Sequence, residues 1–351
     1  MTDIFNPPKG TFRTVFLYVG QGDATLMMIP DGEQHKFVLI DSNKSDDGVN
    51  IANLLKDQIP NGELIFINTH PHKDHLKGID EIHKTVTIGE IWHSGHLPHK
   101  DNREEYNKMR GIISKIGDVN EYYLRGSRED NAIHTDKEET SKVNKRIGDV
   151  DFQVFSPAKY VCEEIDNEDP EIRRKQIHEQ CGVIKFTYKN KSILITGDSD
   201  KEAWVEHITT YYNDLLDANV LSASHHGSRS FFKNGEDDDS PFKAHIEKIN
   251  PEYLVISAPK KSQFDHPHDD AMEIYREYVS EDGIFNLGEK EQSLVVDIDS
   301  DGNLTTEWLN EIEDESEKSN KTVASPASYP YKPSGNTYVK PYCSYGSKGY
   351  G

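Results

Sequence analysis

Short apolar runs separated by polar turns make up most of the chain, and their periodicity switches repeatedly between strand and helix. Residues 14–19 read as a strand that stops at the turn Gly20-Gln21-Gly22. Residues 25–29 and 36–40 read as a strand pair around Pro30-Asp31-Gly32, and 49–55 as a helix. A short apolar run at 64–68 is followed by a predicted helix over 79–83. In 104–116, helical spacing puts Tyr106, Met109, Ile112, Ile113 and Ile116 on one face. Further on, 151–155 is a strand ending at Ser156-Pro157, and 183–188 with 192–196 forms a hairpin across Lys189-Asn190-Lys191. Residues 201–215 read as helix, 220–223 and 253–257 as strands, 271–278 as helix and 293–298 as a last strand. The alternation, with antiparallel hairpins inside it, predicts a layered α/β domain over residues 1–310.

Polar, acidic stretches at 129–148, 163–171 and 233–240 read as solvated loops. From residue 311 to 351 the chain turns charged, then rich in Ser, Tyr, Gly, Lys and Pro, and this tail is expected to be disordered. Its terminal Gly351 is compatible with engagement of, or conjugation to, a protein partner. The formal net charge of −22 repels polyanions at long range and argues against a broad nucleic-acid-binding face. It leaves a small phosphoester substrate open, because bound dications dominate the local field of a metal site. Lys73, Lys77, Arg229, Lys233, Lys260 and Lys261 lie near the motifs below and are candidates for a local basic strip. The three cysteines, Cys162, Cys181 and Cys343, form no CxxC pair and suit a reducing compartment. With no apolar leader in residues 1–9 and no long apolar segment, the expectation is a cytoplasmic chain without membrane contact.

The candidate chemistry follows the run at 64–68. His70-Pro71-His72-Lys73-Asp74-His75 packs three imidazoles and a carboxylate into six residues. Neutral imidazole and carboxylate are the usual ligands of zinc and related divalent ions. On an extended or turning backbone His70 and His72 point to one side and suit one metal, while Asp74 and His75 pass on to a second. Later strands deliver partners at their ends. Residues 192–196 lead through Gly197 to Asp198, a candidate to bridge two metals. Residues 220–223 lead to His225-His226, of which one is expected to ligate the second metal and the other to face substrate. The local pattern does not say which.

Together these motifs resemble the metallo-β-lactamase superfamily, and within it the hydrolase domain of ComEC-type competence proteins and their soluble relatives. Phe16-Leu-Tyr-Val-Gly-Gln-Gly-Asp23-Ala24 is similar to that family's D-V-G-Q-G-D-A, and Leu39-Ile-Asp41 to its next strand. Thr196-Gly-Asp198, His225-His226-Gly-Ser and Asp265-His266-Pro267-His268 match in order, from about Thr11 to about Ile298. Two positions depart: Tyr18 stands where the family has its first Asp, and Asp265 where it has Gly before His-Pro-His.

The resemblance implies a four-layer αβ/βα sandwich with two divalent ions, Zn or Mn, at one edge. His70 and His72 would bind the first ion. Asp74, His75 and His225 or His226 would bind the second, with Asp198 bridging. A third histidine for the first ion has His134 and His178 as candidates, with His93, His96 and His99 behind them. Asp74, His226 and His266 are the candidate catalytic residues: Asp74 to orient water, and His266 or the non-ligand member of the pair to contact phosphate or protonate the leaving group. The implied activity is phosphodiester hydrolysis, a phosphodiesterase or nuclease using a hydroxide that bridges the metals, on DNA or a nucleotide-like or phosphorylcholine-like ester. The alternatives are another hydrolase on this fold, such as a lactonase or thioesterase, and a binding protein with a degenerate site.

Overall fold

The structure is a computed structural model and describes residues 4–126, 132–134, 141–142, 146–158, 165 and 169–309, with 132–134 and 141–142 as backbone. Its strands in chain order begin with β1 (Phe12–Phe16), β2 (Thr25–Asp31), β3 (Gln34–Ile40), β4 (Leu64–Asn68), β5 (Ile88–His93) and β6 (Glu121–Arg125). Short strands follow at β7 (Ala132–His134), β8 (Ser141–Lys142) and β9 (Arg146–Ile147), then β10 (Val150–Ser156), β11 (Val183–Tyr188) and β12 (Lys191–Ile195). The last are β13 (Val220–Ser222), β14 (Tyr253–Ile256), β15 (Ile284–Asn286), β16 (Leu294–Ile298) and β17 (Leu304–Trp308).

Among the described residues these strands make two sheets, ordered β17-β16-β1-β2-β3-β4-β5-β6-β7-β8 and β15-β14-β13-β12-β11-β10-β9. Each sheet is antiparallel toward its hairpins and parallel in one block, β3-β4-β5-β6 in the first and β12-β13-β14-β15 in the second. Both faces of the central strands are buried, which is why the sequence shows continuous apolar runs rather than strict alternation. Met27, Ile29, Val38, Ile40 and Ile67 of the first sheet meet Phe152, Val154, Ile184, Phe186 and Ile193 of the second in one core between the sheets. Their neighbours Leu26, Met28, Leu39 and Phe66 point the other way, onto Leu55, Ile79, Ile82, Met109 and Ile113 of the first helical layer. Leu194, Leu221 and Leu254 do the same on the far side, against Trp204, Ile246, Ile249 and Tyr275. The layering is therefore helix, sheet, sheet, helix: the αβ/βα sandwich of the metallo-β-lactamase fold.

Several elements differ from the pattern reading. β1 ends at Phe16: the Leu17 N–H still reaches the Ala24 carbonyl at 2.9 Å, but the Tyr18 N–H goes to Ser293 Oγ at 2.9 Å instead of a ladder carbonyl. The helix expected over 201–215 is π-helical at Ala203–Ile208 and stops after Thr209–Tyr211. The acidic stretch 163–171 runs into a helix, Pro170–Glu179, begun by Asp169, whose side chain accepts the N–H groups of Glu171 and Ile172, and by Pro170 in the first turn. Its polar composition hides a weak apolar stripe, Ile172 being exposed while Ile177 is buried. β5, β6, β15 and β17 also lie where no strand is predicted, and β7, β8 and β9 lie inside the stretch 129–148 read as a loop. The tail from 311, Cys162 and Cys343 lie outside the described residues. No helix among the described residues is long and apolar enough to cross a membrane.

Candidate metal centre

Loops leaving the C-terminal ends of β4, β12, β13 and β14 converge between the two sheets, the usual place for function in sheets with parallel strands. The first loop is shaped by Asp41. Its carboxylate accepts the Thr69 N–H at 2.8 Å, the Thr69 hydroxyl at 2.6 Å and the Asn68 amide at 3.0 Å, and lies 2.8 Å from His75 Nδ1. A fully buried carboxylate thus pulls the 68–75 segment into a compact turn and orients His75 with Nε2 pointing away. Asp41 itself has a left-handed φ of 56°, a conformation aspartate tolerates better than most side chains.

The second sheet supplies the rest. Gly197, at φ 48°, turns the chain after β12; a Cβ there would lie 2.6 Å from the Cys181 sulfur and 2.8 Å from Thr69 Oγ1. Cys181 is buried and its sulfur accepts the Asp198 N–H at 3.2 Å, so the thiol seats the carboxylate's backbone. After β13, His225 (φ 51°), His226 (φ 59°) and Gly227 (φ 82°) are consecutive left-handed residues, a strained turn of roughly 1–3 kcal/mol per non-glycine residue that sends the two rings to different places. His226 Nδ1 is 2.8 Å from the Ser257 carbonyl and His225 Nδ1 is 3.0 Å from Ser230 Oγ.

Around Asp198 the rings divide by carboxylate oxygen. His70 Nε2, His178 Nε2 and His225 Nε2 lie 3.5, 3.8 and 3.6 Å from Oδ2. His75 Nε2 and His226 Nε2 lie 3.2 and 3.6 Å from Oδ1, and His226 Nε2 is 3.7 Å from Asp74. Among the described residues, four overlapping groups each bring one donor atom per residue within 4.8 Å of the others: His70, His72, His178 and Asp198; Asp74, His75 and His226; Asp23, Asp41 and His75; and Asp23, Asp198 and His226. His70 Nε2, His75 Nε2, His226 Nε2 and Asp198 Oδ1 are buried without a hydrogen bond of good geometry. Buried polar atoms are seldom left so, and four that face one another fit divalent cations in chemistry and in placement.

Electrostatics agree. Burial opposes charge on His75 and His226, yet Asp198 with Asp41, and Asp198 with Asp23, hold both imidazoles well above their ordinary range. Asp74 and Asp198 are held below the usual carboxylate range despite burial, by contacts with His226 and His75. Without cations, protons on two rings balance the carboxylates; metal binding would release them. Burial and neighbouring imidazoles push His72 down to about 3, His225 to about 4 and His266 to about 3, leaving those rings neutral.

His70, His72, Asp74, His75, Asp198, His225, His226 and His266 all sit in or beside this cluster, whereas His96 joins none of the donor groups. His178, from the unexpected helix, joins His70 and His72, its Nε2 3.1 Å from His72 Nδ1. His93 is instead paired with Glu121 at 3.0 Å and His99 with Asp101 at 3.1 Å. His134 lies in β7, where only the backbone is described. His266 faces the cluster with its ring 5.4 Å from that of His225 and 5.9 Å from that of His226. Half of the basic strip is neutralised: Arg229 and Lys233 reach Asp270 at 3.1 and 3.2 Å, and Lys260 reaches Glu291 at 2.9 Å. Sequence reasoning missed the supporting roles of Asp23, Asp41 and Cys181. It also missed Asp200, which burial and Glu179 push up to about 7. Asp23 and Asp41 lie inside quoted motifs and were findable; Cys181 and Asp200 carried no local signal.

A cleft of about 760 Å³ opens over the cluster, lined by His72, Asp74, His178, Asp198, His225, His226 and His266 at its floor.

No family model matches the chain. Among curated proteins, ComE operon protein 3 of Bacillus subtilis (strain 168) is 25% identical over 169 residues, 48% of this chain and 18% of that protein. The chain thus spans less than a fifth of that relative, and the match agrees with the ComEC-type resemblance of the motifs. Among solved structures, a CmlA beta-hydroxylase mutant aligns at TM-score 0.42 and 11% identity, covering 80% of this chain and 53% of that one. Zn(2+)-bound PqqB from Methylobacterium extorquens aligns at TM-score 0.40 and 10% identity, covering 78% and 97%. A metallo-beta-lactamase motif mutant from Cronobacter sakazakii aligns at 0.33 and 16%, covering 67% and 89%.

Proposed function

We propose that this chain is a dinuclear metal-dependent hydrolase that cleaves phosphodiesters. The observation that carries the reading is the division of five imidazoles between the two oxygens of Asp198. His70, His72 and His178 would hold one ion, Asp74, His75 and His226 the other, and Asp198 both. Two such ions, Zn or Mn, would supply a nucleophilic oxygen from water near neutral pH and would neutralise charge on the phosphoryl group.

The chain's own residues do the rest. Asp41 and Ser257 hold the outer nitrogens of His75 and His226, which keeps their inner nitrogens aimed at the centre. Asp74, at the cleft floor, accepts a hydrogen bond from the attacking water and orients it. His225, not needed as a ligand, faces the cleft. His225 and His266 as neutral rings donate N–H bonds to phosphoryl oxygens, a task for which a low imidazole pKa is no handicap. His178 completing the first ligand set supports a working site over a degenerate one.

The test is metal analysis of the purified full chain coupled to turnover of bis-p-nitrophenyl phosphate. The expected result is close to two Zn or Mn per chain and turnover that His72→Ala combined with Asp74→Ala abolishes. Metal without phosphodiester turnover, together with lactone or thioester cleavage, would replace the reading; a metal-free wild type would end it.

A further inference from the structure

Five large apolar side chains are exposed among the described residues, and two of them, Phe264 and Ile172, line the cleft. An exposed Leu or Ile alone means little, but an aromatic ring half exposed at the rim of a polar cleft is placed against the hydrophobic effect. Phe264 is 51% exposed. Its backbone N–H is fixed by Ser262 Oγ at 3.1 Å, and Ser262 is tied in turn to Gln21 at 3.0 Å. The backbone that carries the ring is therefore tied down at the rim of the cleft. The ring stands 5.9 Å from the His266 ring at 36°, and His266 stands 5.9 Å from His226, so the aromatic surface leads outward from the metal cluster in two steps. In a chain of net charge −22, Arg174 and Lys175 bring cations to the same cleft. The ion pairs of Arg174 with Glu171 and Lys175 with Glu179 are exposed, at 3.2 and 3.9 Å, and cost little to exchange for a phosphate.

We infer that Phe264 is a specificity-determining residue: the flat base of a nucleoside phosphodiester stacks on its ring while the phosphate reaches the floor of the cleft. This deepens the phosphodiesterase reading and rests on it. Base–aromatic stacking is sequence-tolerant and contributes about tenfold or more in affinity per base.

The test compares metal-loaded wild type, Phe264→Ala and Phe264→Trp on two esters with one leaving group, thymidine 5′-p-nitrophenyl phosphate and methyl p-nitrophenyl phosphate. Binding of thymidine 5′-monophosphate is measured on the same preparations by calorimetry. Wild type is expected to prefer the thymidine ester. Phe264→Ala should lower kcat/KM on that ester about tenfold, mainly through KM, and weaken nucleotide binding by a similar factor. The methyl ester should be turned over as before, and Phe264→Trp should restore both. Equal effects of Phe264→Ala on the two esters, or unchanged nucleotide binding, would overturn the inference. If wild type binds metal yet hydrolyses neither ester, the phosphodiesterase reading fails; Phe264-dependent nucleotide binding would then survive as the independent result.

Discussion

Two regions of this protein bury histidine rings whose nitrogens lack hydrogen bonds of good geometry, and they are chemically opposite. At the candidate metal centre His70, His75 and His226 have Nε2 atoms without a hydrogen bond of good geometry that all face the carboxylates of Asp198 and Asp74. In the outer layer of the second sheet His245 is fully buried with both ring nitrogens unpartnered, and it faces Trp204, Phe231, Phe232 and Phe242 at centroid distances of 4.2 to 5.4 Å. The first arrangement raises the pKa of two imidazoles; the second lowers it, to about 3, through burial that a backbone group of Phe231 offsets only in part. An orphaned buried nitrogen is therefore a sign of a ligand site only where several converge on negative charge. Where they face aromatic carbon, they are a cost of packing.

The comparison can be broken most severely at Asp198. Asp198→Ala removes the carboxylate on which five rings converge, and should cut both metal content and phosphodiester turnover, the latter by at least ~10²-fold. Retained metal by elemental analysis would contradict the division of the rings. Asp41→Asn leaves the ligands in place but weakens their outer support, and metal affinity in a competition titration should fall by about 10–100-fold.

The pH dependence sharpens the contrast. His75 and His226 have raised proton affinities, so metal must displace protons, and measured metal affinity should fall as pH drops from 8 to 6. His245 has the opposite sign. Unfolded, the ring takes up a proton below about 6.5; folded, it does so only near 3. Its contribution to stability is complete above about 6.5 and is lost as pH falls toward 3, by up to about 1.4 kcal/mol per pH unit. Denaturant melts of His245→Phe should lack that part of the acid slope and show equal or higher stability at neutral pH. The smallest effect is expected from Cys181→Ala, which leaves the Asp198 N–H without its acceptor and should cost about 1–3 kcal/mol of stability with metal still bound.

Much of the centre was legible because the chemistry is concentrated. Residues 70–75 crowd four ligand types together, and Asp198 and His225-His226 each follow an apolar strand directly. His178 was readable only as one of several candidates, since it sits on a polar helix whose first turn reads as part of an acidic loop. The choice between His225 and His226 was not readable at all. Both follow the same strand, and only the left-handed turn at 225–227 decides that His226 meets Asp74 and His75 while His225 turns to the cleft.

The sequence by itself determined the layered α/β character, the position of most strands and the ligand-rich turns, because burial on both faces and metal-type side chains leave local composition signals. Tertiary structure decided which nitrogen faces which oxygen, that Asp41 and Cys181 brace His75 and Asp198, and that Arg229, Lys233 and Lys260 are spent on ion pairs. Those are contacts between residues tens to hundreds of positions apart, and no local pattern encodes a distance that only the closing of two sheets creates.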